Sequence, residues 1–193
     1  MEQATKTVAV HTAYFWRGEI IPHTIEVQAC EGIGIHIVGL PDSVVKETLL
    51  RVVTAIQALG YRIPGRKLVI NIEPDGGRME LAGRRIRQIG YGGFDLAIAI
   101  GILQATGQIQ TLPGAAVDDV LFYGELALDG GIFAPEGGLS QDVDVARVID
   151  WQLCRNWGLV VGFDAEDDNF IIWRNYLNLS TVIQDINGNG YAL

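Results

Sequence analysis

The chain has 193 residues, of which 49% are apolar and 19% charged, and its formal net charge at pH 7 is -9. This length and composition suit one well-buried globular domain and exclude a disordered chain. The acidic balance argues against a protein that binds nucleic acid or membranes through its general surface charge.

The ends and the cysteines indicate an intracellular protein. MEQATKTVAV lacks the basic start and apolar run of a secretory leader, and no uncharged apolar run approaches the ~18 residues that a bilayer span needs. Cys30 and Cys154 are too few and too far apart for a disulfide framework or a zinc site. We therefore expect a cytoplasmic protein with reduced thiols and without cofactor, bound metal or membrane association.

The first forty residues predict three strands. In IIPHTIEVQA, apolar and polar residues alternate with the period of a half-buried strand, and IGIHIV repeats that pattern. KTVAVHTA predicts another strand before them. The intervening CEG favours a hairpin turn that joins the second strand to the third.

The pattern then changes to that of a helix. After GLPD, apolar residues recur at steps of three and four, which predicts an amphipathic helix. Asp42 or Ser43 can cap its start, and Gly60 closes it. Next, KLVINI is a continuous apolar segment, which predicts a strand buried on both faces.

The second half continues to alternate helices and strands. An irregular basic segment, residues 73–93, leads into a helix headed by Asp95. VLFYGELALDGGIFA then predicts a hairpin with LDGG at its turn, and QDVDVARVIDWQLCRNWG predicts a further long helix.

The C-terminal part predicts two short strands, LVVGF and FIIW, and a short helix near Ser180–Ile186. This order of elements predicts a single α+β domain over residues 1–193. Its architecture is a two-layer sandwich of a mixed β-sheet and helices.

Three segments, VGLPD, VKE and FDLAIAIGIL, carry a family resemblance by their combination and order. The chain resembles, over roughly residues 5–165, the N-terminal ChlI-like domain of the Mg-chelatase-like AAA+ proteins, the ComM-type competence and branch-migration ATPases. The resemblance implies the fold of the second domain of ribosomal protein S5. Lon proteases and RadA recombinases share this fold, so the resemblance also implies kinship with a Ser–Lys protease.

The protease residues themselves are absent. Lon-type proteases keep a serine nucleophile in a glycine-rich turn that opens a helix, and a lysine in a later GGLK segment serves as base when burial lowers its pKa. The resemblance places Asp95 at the serine position and Ser140 at the lysine position. The one local S-x-x-K pair, Ser43 and Lys46, is interpreted as a helix cap and a solvated lysine. We therefore expect a non-catalytic domain.

Two groups of polar residues keep an enzymatic alternative open, a Lon-fold hydrolase with a noncanonical nucleophile or metal. His11, His23 and His36 lie on predicted strands, where they can meet a carboxylate or a metal across the sheet. DAEDDNF offers carboxylates to a hard cation, although its spacing matches no EF-hand. Partly buried, hydrogen-bonded histidines and a solvated acidic loop are the interpretations we favour.

The glycine-rich entry to the Asp95 helix raises the question of phosphate binding. The sequence contains no G-x-x-x-x-G-K-[ST], so these residues carry no Walker A loop, and an ATPase would belong to another domain or chain. Gly90, Gly92 and Gly93 precede the helix and have N–H groups that suit an anion. We expect Asp95 to satisfy the N–H groups itself and to repel phosphate, so that the helix start is self-capped.

Positive charge is concentrated between residues 62 and 87, which hold seven of the fourteen lysines and arginines. The segment GGRMELAGRRIRQIGYGG is longer and more cationic than the link expected of the family. Its candidate nucleic-acid contacts are Arg78, Arg84, Arg85 and Arg87, which can track a phosphate backbone, and Tyr91, which can stack on a base. The alternative is a surface loop whose arginines pair with acidic residues.

These patterns together favour an interaction or regulatory domain of the Mg-chelatase-like kind. The partners expected from the resemblance are an AAA+ ATPase domain or another protein, with DNA as a further partner through the arginine segment. Self-association into a homo-oligomer stays open.

Overall fold

The structure is a computed structural model and describes residues 7–16, 19–39, 42–74, 93–110, 120–133, 159–162 and 173–188. In these ranges the strands are β1 (Thr7–Trp16), β2 (Glu19–Cys30), β3 (Gly34–Val38), β4 (Lys67–Pro74), β5 (Val120–Phe122), β6 (Glu125–Leu126), β7 (Ile132–Phe133), β8 (Leu159–Gly162) and β9 (Trp173–Asn175). The helices are α1 (Asp42–Ala58), α2 (Asp95–Ala105) and α3 (Leu179–Asn187).

Seven of these strands form one mixed sheet in the order β3-β4-β2-β1-β5-β8-β9. β2 pairs antiparallel with both β1 and β4, whereas the outer strands join the sheet in parallel. β6 and β7 form a separate antiparallel hairpin. The α+β class and the mixed sheet are therefore confirmed.

The apolar core lies on one face of this sheet, between the strands and the helices. Ile25 and Val27 of β2 and Leu68 and Ile70 of β4 are fully buried on that face, together with Val10 of β1. The opposite face is polar around Thr24, Glu26 and Gln28 of β2. There the Asn71 amide donates a hydrogen bond to the Glu26 carboxylate over 3.2 Å.

β4 corrects the expectation that KLVINI is buried on both faces. Leu68, Ile70 and Ile72 are buried, but Val69 and Asn71 between them are only half-buried. The reason is that helices cover a single face of this part of the sheet, so only alternate side chains enter the core. The arrangement agrees with a two-layer sandwich.

The predicted hairpin between β2 and β3 is also wrong, because β4 lies between these strands. β4 pairs antiparallel with β2 from His23↔Pro74 to Cys30↔Lys67, and in parallel with β3 from Gly34↔Lys67 to Val38↔Asn71. The connection through α1 returns the chain as β4, which offers β2 an apolar partner along most of its length. α1 then packs its own apolar stripe on the buried face.

The end of α1 is confirmed. Gly60 has a φ of 82°, in the region that favours glycine. Its N–H donates to the Gln57 carbonyl over 3.0 Å, and the Tyr61 N–H donates to the Ile56 carbonyl over 3.2 Å. This pair of bonds is a Schellman motif, which satisfies the last carbonyls of the helix.

The LDGG turn is confirmed, but its hairpin is shorter than expected. VLF forms β5, which pairs in parallel with β1, and only β6 and β7 flank the turn. α3 then docks on this turn, because the Leu179 N–H donates to the Gly130 carbonyl over 2.8 Å. Asn178 caps α3 by accepting the Ser180 N–H over 2.8 Å.

The remaining predicted elements lie in the C-terminal part of the chain, which the structure describes only in part. β8 and α3 confirm the strand in LVVGF and the short C-terminal helix. The helix predicted for QDVDVARVIDWQLCRNWG and the acidic loop DAEDDNF lie outside the described residues. Within the described part, no helix has the length and apolar character to cross a membrane.

α2 is buried along its length, and Gly101 lets it approach the sheet closely. A Cβ atom at this position would lie 2.6 Å from Cγ2 of Val27 on β2. Because a real contact of that length does not occur, any side chain here moves the helix away from the strand.

We predict that Gly101→Ala lowers the free energy of unfolding by about 1–3 kcal/mol, because the added methyl overpacks the helix–sheet contact. Urea denaturation of the purified protein measures the change. Gly65→Ala is the matched control, since a Cβ there meets nothing within 4 Å. If Val27→Ala fails to reduce the cost of Gly101→Ala in the double variant, the overpacking explanation is wrong.

Candidate functional site

Asp95 is the first residue of α2 and lies in the interior, with its side chain 1% exposed. Arg51 of α1 donates two hydrogen bonds to its carboxylate, from Nε to Oδ2 over 2.6 Å and from Nη2 to Oδ1 over 3.2 Å. The backbone N–H of Leu126 in β6 donates to Oδ2 over 3.2 Å. One carboxylate thus joins α1, α2 and the β6–β7 hairpin.

This geometry corrects the expectation that Asp95 caps its own helix. The Leu96 N–H donates instead to the Gly124 carbonyl over 3.1 Å, and the Ile98 N–H donates to the Phe94 carbonyl over 2.9 Å. The carboxylate turns to Arg51 because a charge-assisted, bidentate bond is stronger than a bond to a neutral amide. The helix start therefore has no side-chain cap, and its Leu96 N–H is satisfied by the backbone of a neighbouring segment.

Gly93, two residues before Asp95, packs directly against Tyr123. It has a φ of 102°, and a Cβ atom there would overlap the Tyr123 ring. Its carbonyl accepts the Gly124 N–H over 3.1 Å and the Thr12 hydroxyl over 3.5 Å. The glycine at this position therefore serves close packing and a tight turn.

Burial sets the electrostatics of the pair. Burial raises the pKa of the Asp95 carboxyl above its ordinary value of 3.8, and the Arg51 guanidinium and the Leu126 N–H oppose that rise. The hydrogen bond with Asp95 raises the pKa of Arg51, and Glu125 and Glu47 add to the effect. The Arg51 side chain is 28% exposed and also lies 3.8 Å from Glu125.

Two of the three histidines, His11 and His36, lie away from Asp95. Nδ1 of His11 lies 3.0 Å from the Thr24 hydroxyl on the polar face of the sheet. His23 is buried on the other face, where its ring centroid lies 5.2 Å from that of Phe94, and His36 is exposed on β3. Among the described residues, no group of three or more His, Cys, Asp or Glu is placed to hold a metal.

Most of the other candidate residues lie outside the described ranges. These are Arg78, Arg84, Arg85, Arg87, Tyr91, Gly92 and Ser140. Of the S-x-x-K pair, Lys46 is exposed on α1, as expected.

The sequence analysis missed Arg51, the partner of Asp95. One signal pointed to such a partner, since an aspartate that heads an otherwise apolar helix requires a cation when it is buried. Arg51 lies four residues after Glu47 on α1, and this spacing suggests a Glu47–Arg51 ion pair on the helix surface. The sequence therefore offers no reason to pair Arg51 with Asp95. The Leu126 N–H carried no signal in the sequence.

We predict that Arg51→Met destabilises the protein by about 2–4 kcal/mol near pH 7, because it leaves a buried carboxylate without its cation. Chemical denaturation measures the loss. Lys46→Met removes an exposed cation from the same helix and is expected to cost less than about 0.5 kcal/mol. The double variant Arg51→Met/Asp95→Asn should cost less than the sum of the single variants, and strict additivity would show that the pair is not coupled.

The Arg51–Asp95 pair also predicts that the free energy of unfolding depends on pH. Because the pKa of Asp95 is raised in the folded state, the folded protein binds this proton more tightly than the unfolded chain. The free energy of unfolding should therefore fall as the pH rises from 3.8 through the raised pKa. Asp95→Asn should lack this component, and Arg51→Met should enlarge it. Parallel pH profiles in the three proteins would contradict the prediction.

Comparison with known proteins identifies a family and several similar sequences. Residues 25–147 match the family model described as subunit ChlI of Mg-chelatase. The chain is 33% identical over 144 residues to the uncharacterized protein YifB of Escherichia coli, covering 72% of this chain and 25% of that protein. It is 34% identical over 120 residues to the competence protein ComM of Haemophilus influenzae, covering 59% of this chain and 20% of that protein.

The chain spans about a quarter of the length of the curated relatives that it matches. Among solved structures, the phosphomevalonate kinase of Streptococcus pneumoniae aligns with 59% of this chain and 38% of its own, at 11% identity and a TM-score of 0.31. The family match spans most of the chain, and the chain therefore belongs to the family of subunit ChlI of Mg-chelatase.

Proposed function

We propose that this chain is a non-catalytic interaction domain that joins an AAA+ ATPase domain or another protein partner in DNA processing. The observation that carries the proposal is the bonding of Asp95, the residue that the resemblance aligns with the nucleophile of Lon-type proteases. Its two carboxylate oxygens are bound by Arg51 and the Leu126 N–H, and the side chain is 1% exposed.

A buried carboxylate whose two oxygens both accept hydrogen bonds supports a structural role. A nucleophile or general base needs access to its substrate and a free lone pair. Asp95 instead uses its charge to hold α1 and the β6–β7 hairpin against α2. On this proposal the domain acts through its surface, and its core serves to keep that surface in shape.

The relatives supply the setting of the proposal. One of them is named a competence protein, which suits a role in DNA processing. Because the matched relatives are about four times as long as the aligned segment, an ATPase domain has room beside a domain of this kind. The alternative, a Lon-fold hydrolase with a noncanonical site, requires polar groups that converge on Asp95. His11 and His36 lie elsewhere on the sheet, and His23 is buried against the ring of Phe94.

We predict that hydrolysis of fluorescein-labelled casein by the purified chain does not depend on Asp95. Wild type and Asp95→Asn should release label at the same background rate, since no positioned acid or base is lost. Asp129→Asn is the control, because it changes an exposed aspartate whose carboxylate accepts the Gly131 N–H over 2.9 Å. A loss of about 100-fold in Asp95→Asn alone, with the fold retained, would establish an enzymatic role.

A second binding role, contact with nucleic acid, is favoured by the cluster of cations in residues 62–87. Arg62 and Arg66 of this cluster are exposed on the connection between α1 and β4. The cluster contrasts with the overall net charge of -9. We propose that Arg78, Arg84, Arg85 and Arg87 contact phosphates and that Tyr91 stacks on a base.

We predict weak binding of single-stranded or branched DNA at low salt. Fluorescence anisotropy from about 50 to about 200 mM salt should show affinity falling steeply, as counterion release requires. The triple variant Arg84→Ala/Arg85→Ala/Arg87→Ala should lower the log–log salt slope by about 2, at about 0.7 per lost contact.

The control variant for DNA binding removes three other exposed cations, Lys46, Arg62 and Arg66, by substitution with alanine. It matches the triple variant in charge but leaves the segment of residues 78–87 intact. Equal losses in both variants would show that binding follows net charge, and no loss in the first would remove the nucleic-acid role.

A further inference from the structure

β3 lies at the end of the seven-stranded sheet, as far as the described strands define it. It pairs with β4 on one side, in an uninterrupted parallel register from Gly34↔Lys67 to Val38↔Asn71. The other side of such a strand presents backbone N–H and C=O groups to whatever strand comes next.

This edge lacks the features that usually protect an edge strand. Proteins prevent edge pairing with lysine, proline, inward-pointing charges or bulges. The five residues of β3, GIHIV, contain no proline and no lysine, and the register with β4 shows no bulge. Two large apolar side chains at this edge are exposed, Ile33 to 85% and Val38 to 55%.

The charge distribution around β3 allows a second copy of this chain to be the partner. Two copies that each carry a net charge of -9 repel each other. The segment from Gly32 to Pro41 contains no Asp, Glu, Lys or Arg. β3 lies within this segment, so two copies can meet there without opposing like charges across the new strand pair.

The side chains of β3 are also self-complementary. If two copies pair antiparallel about a two-fold axis at His36, Ile35 of one lies opposite Ile37 of the other. Both isoleucines are half-buried against the core, so the pairing would continue the apolar layer across the axis. Val38 would lie opposite Gly34, which has no side chain to oppose it.

We propose that this protein forms a two-fold homodimer in which the β3 strands pair antiparallel about His36 and join the two sheets. Such an interface is isologous and closed. Because a ladder of five residues buries less than a standard interface, the dimer is weak, with dissociation on the order of 100 µM. This inference stands apart from the proposed function and concerns the edge of the sheet alone.

Disulfide cross-linking through a single introduced cysteine tests whether the two-fold axis lies at His36. In a variant without Cys30 and Cys154, His36→Cys places two thiols opposite each other. Directly paired antiparallel residues have Cα atoms about 4.5–5.5 Å apart, within the range of a disulfide. We expect a covalent dimer under mild oxidation. Val38→Cys is the matched control, exposed on the same strand, because the two Val38 residues would lie about 13 Å apart.

Sedimentation velocity of the wild type provides an independent measurement, from about 10 µM to about 1 mM, a range that brackets the expected dissociation constant. We expect reversible dimerisation, which His36→Lys weakens about fivefold by placing two cations opposite each other. His36 is exposed, so these variants should fold, and thermal melting checks that they do. A monomer at every concentration, equal cross-linking by Val38→Cys, or a dimer insensitive to His36→Lys would each overturn the proposal.

Discussion

The ion pair between Arg51 and Asp95 is the interaction on which this arrangement depends. Apolar burial sets the distance between the helices and the sheet but has no direction, so it allows α1 to slide over α2. The carboxylate removes that freedom, because both oxygens must meet their donors or leave a buried charge unpaired. Two hydrogen bonds between the Gly93–Leu96 segment and Gly124 complete the junction of helix and hairpin.

This junction fills the start of α2. Tyr123 packs against Gly93, Arg51 binds the Asp95 carboxylate, and the Leu126 N–H of β6 donates to the same carboxylate. The three elements α1, α2 and the β6–β7 hairpin are therefore held together at a single point.

Local patterns predicted most of the elements, because their causes are local. The stripe of α1, Gly60 at its end and the LDGG turn all depend on neighbours in sequence, and each was confirmed. Two features depend on distant contacts and could not be predicted in this way. The place of β4 depends on α1 returning the chain across the sheet, and the partner of Asp95 is 44 residues away. The arginine segment and Ser140 lie outside the described residues and stay predictions.

The insertion of β4 between β2 and β3 also constrains how the chain folds during synthesis. β2 and β3 are complete once residue 38 has been made, but the strand that separates them ends at residue 74. At about 5–20 residues per second, residues 39–74 take about 2–7 s to synthesise. A β-hairpin forms in about 1–10 µs, so β2 and β3 have time to pair with each other first. The native sheet then forms only after the ribosome has supplied β4, and any earlier pairing between β2 and β3 must open to admit it.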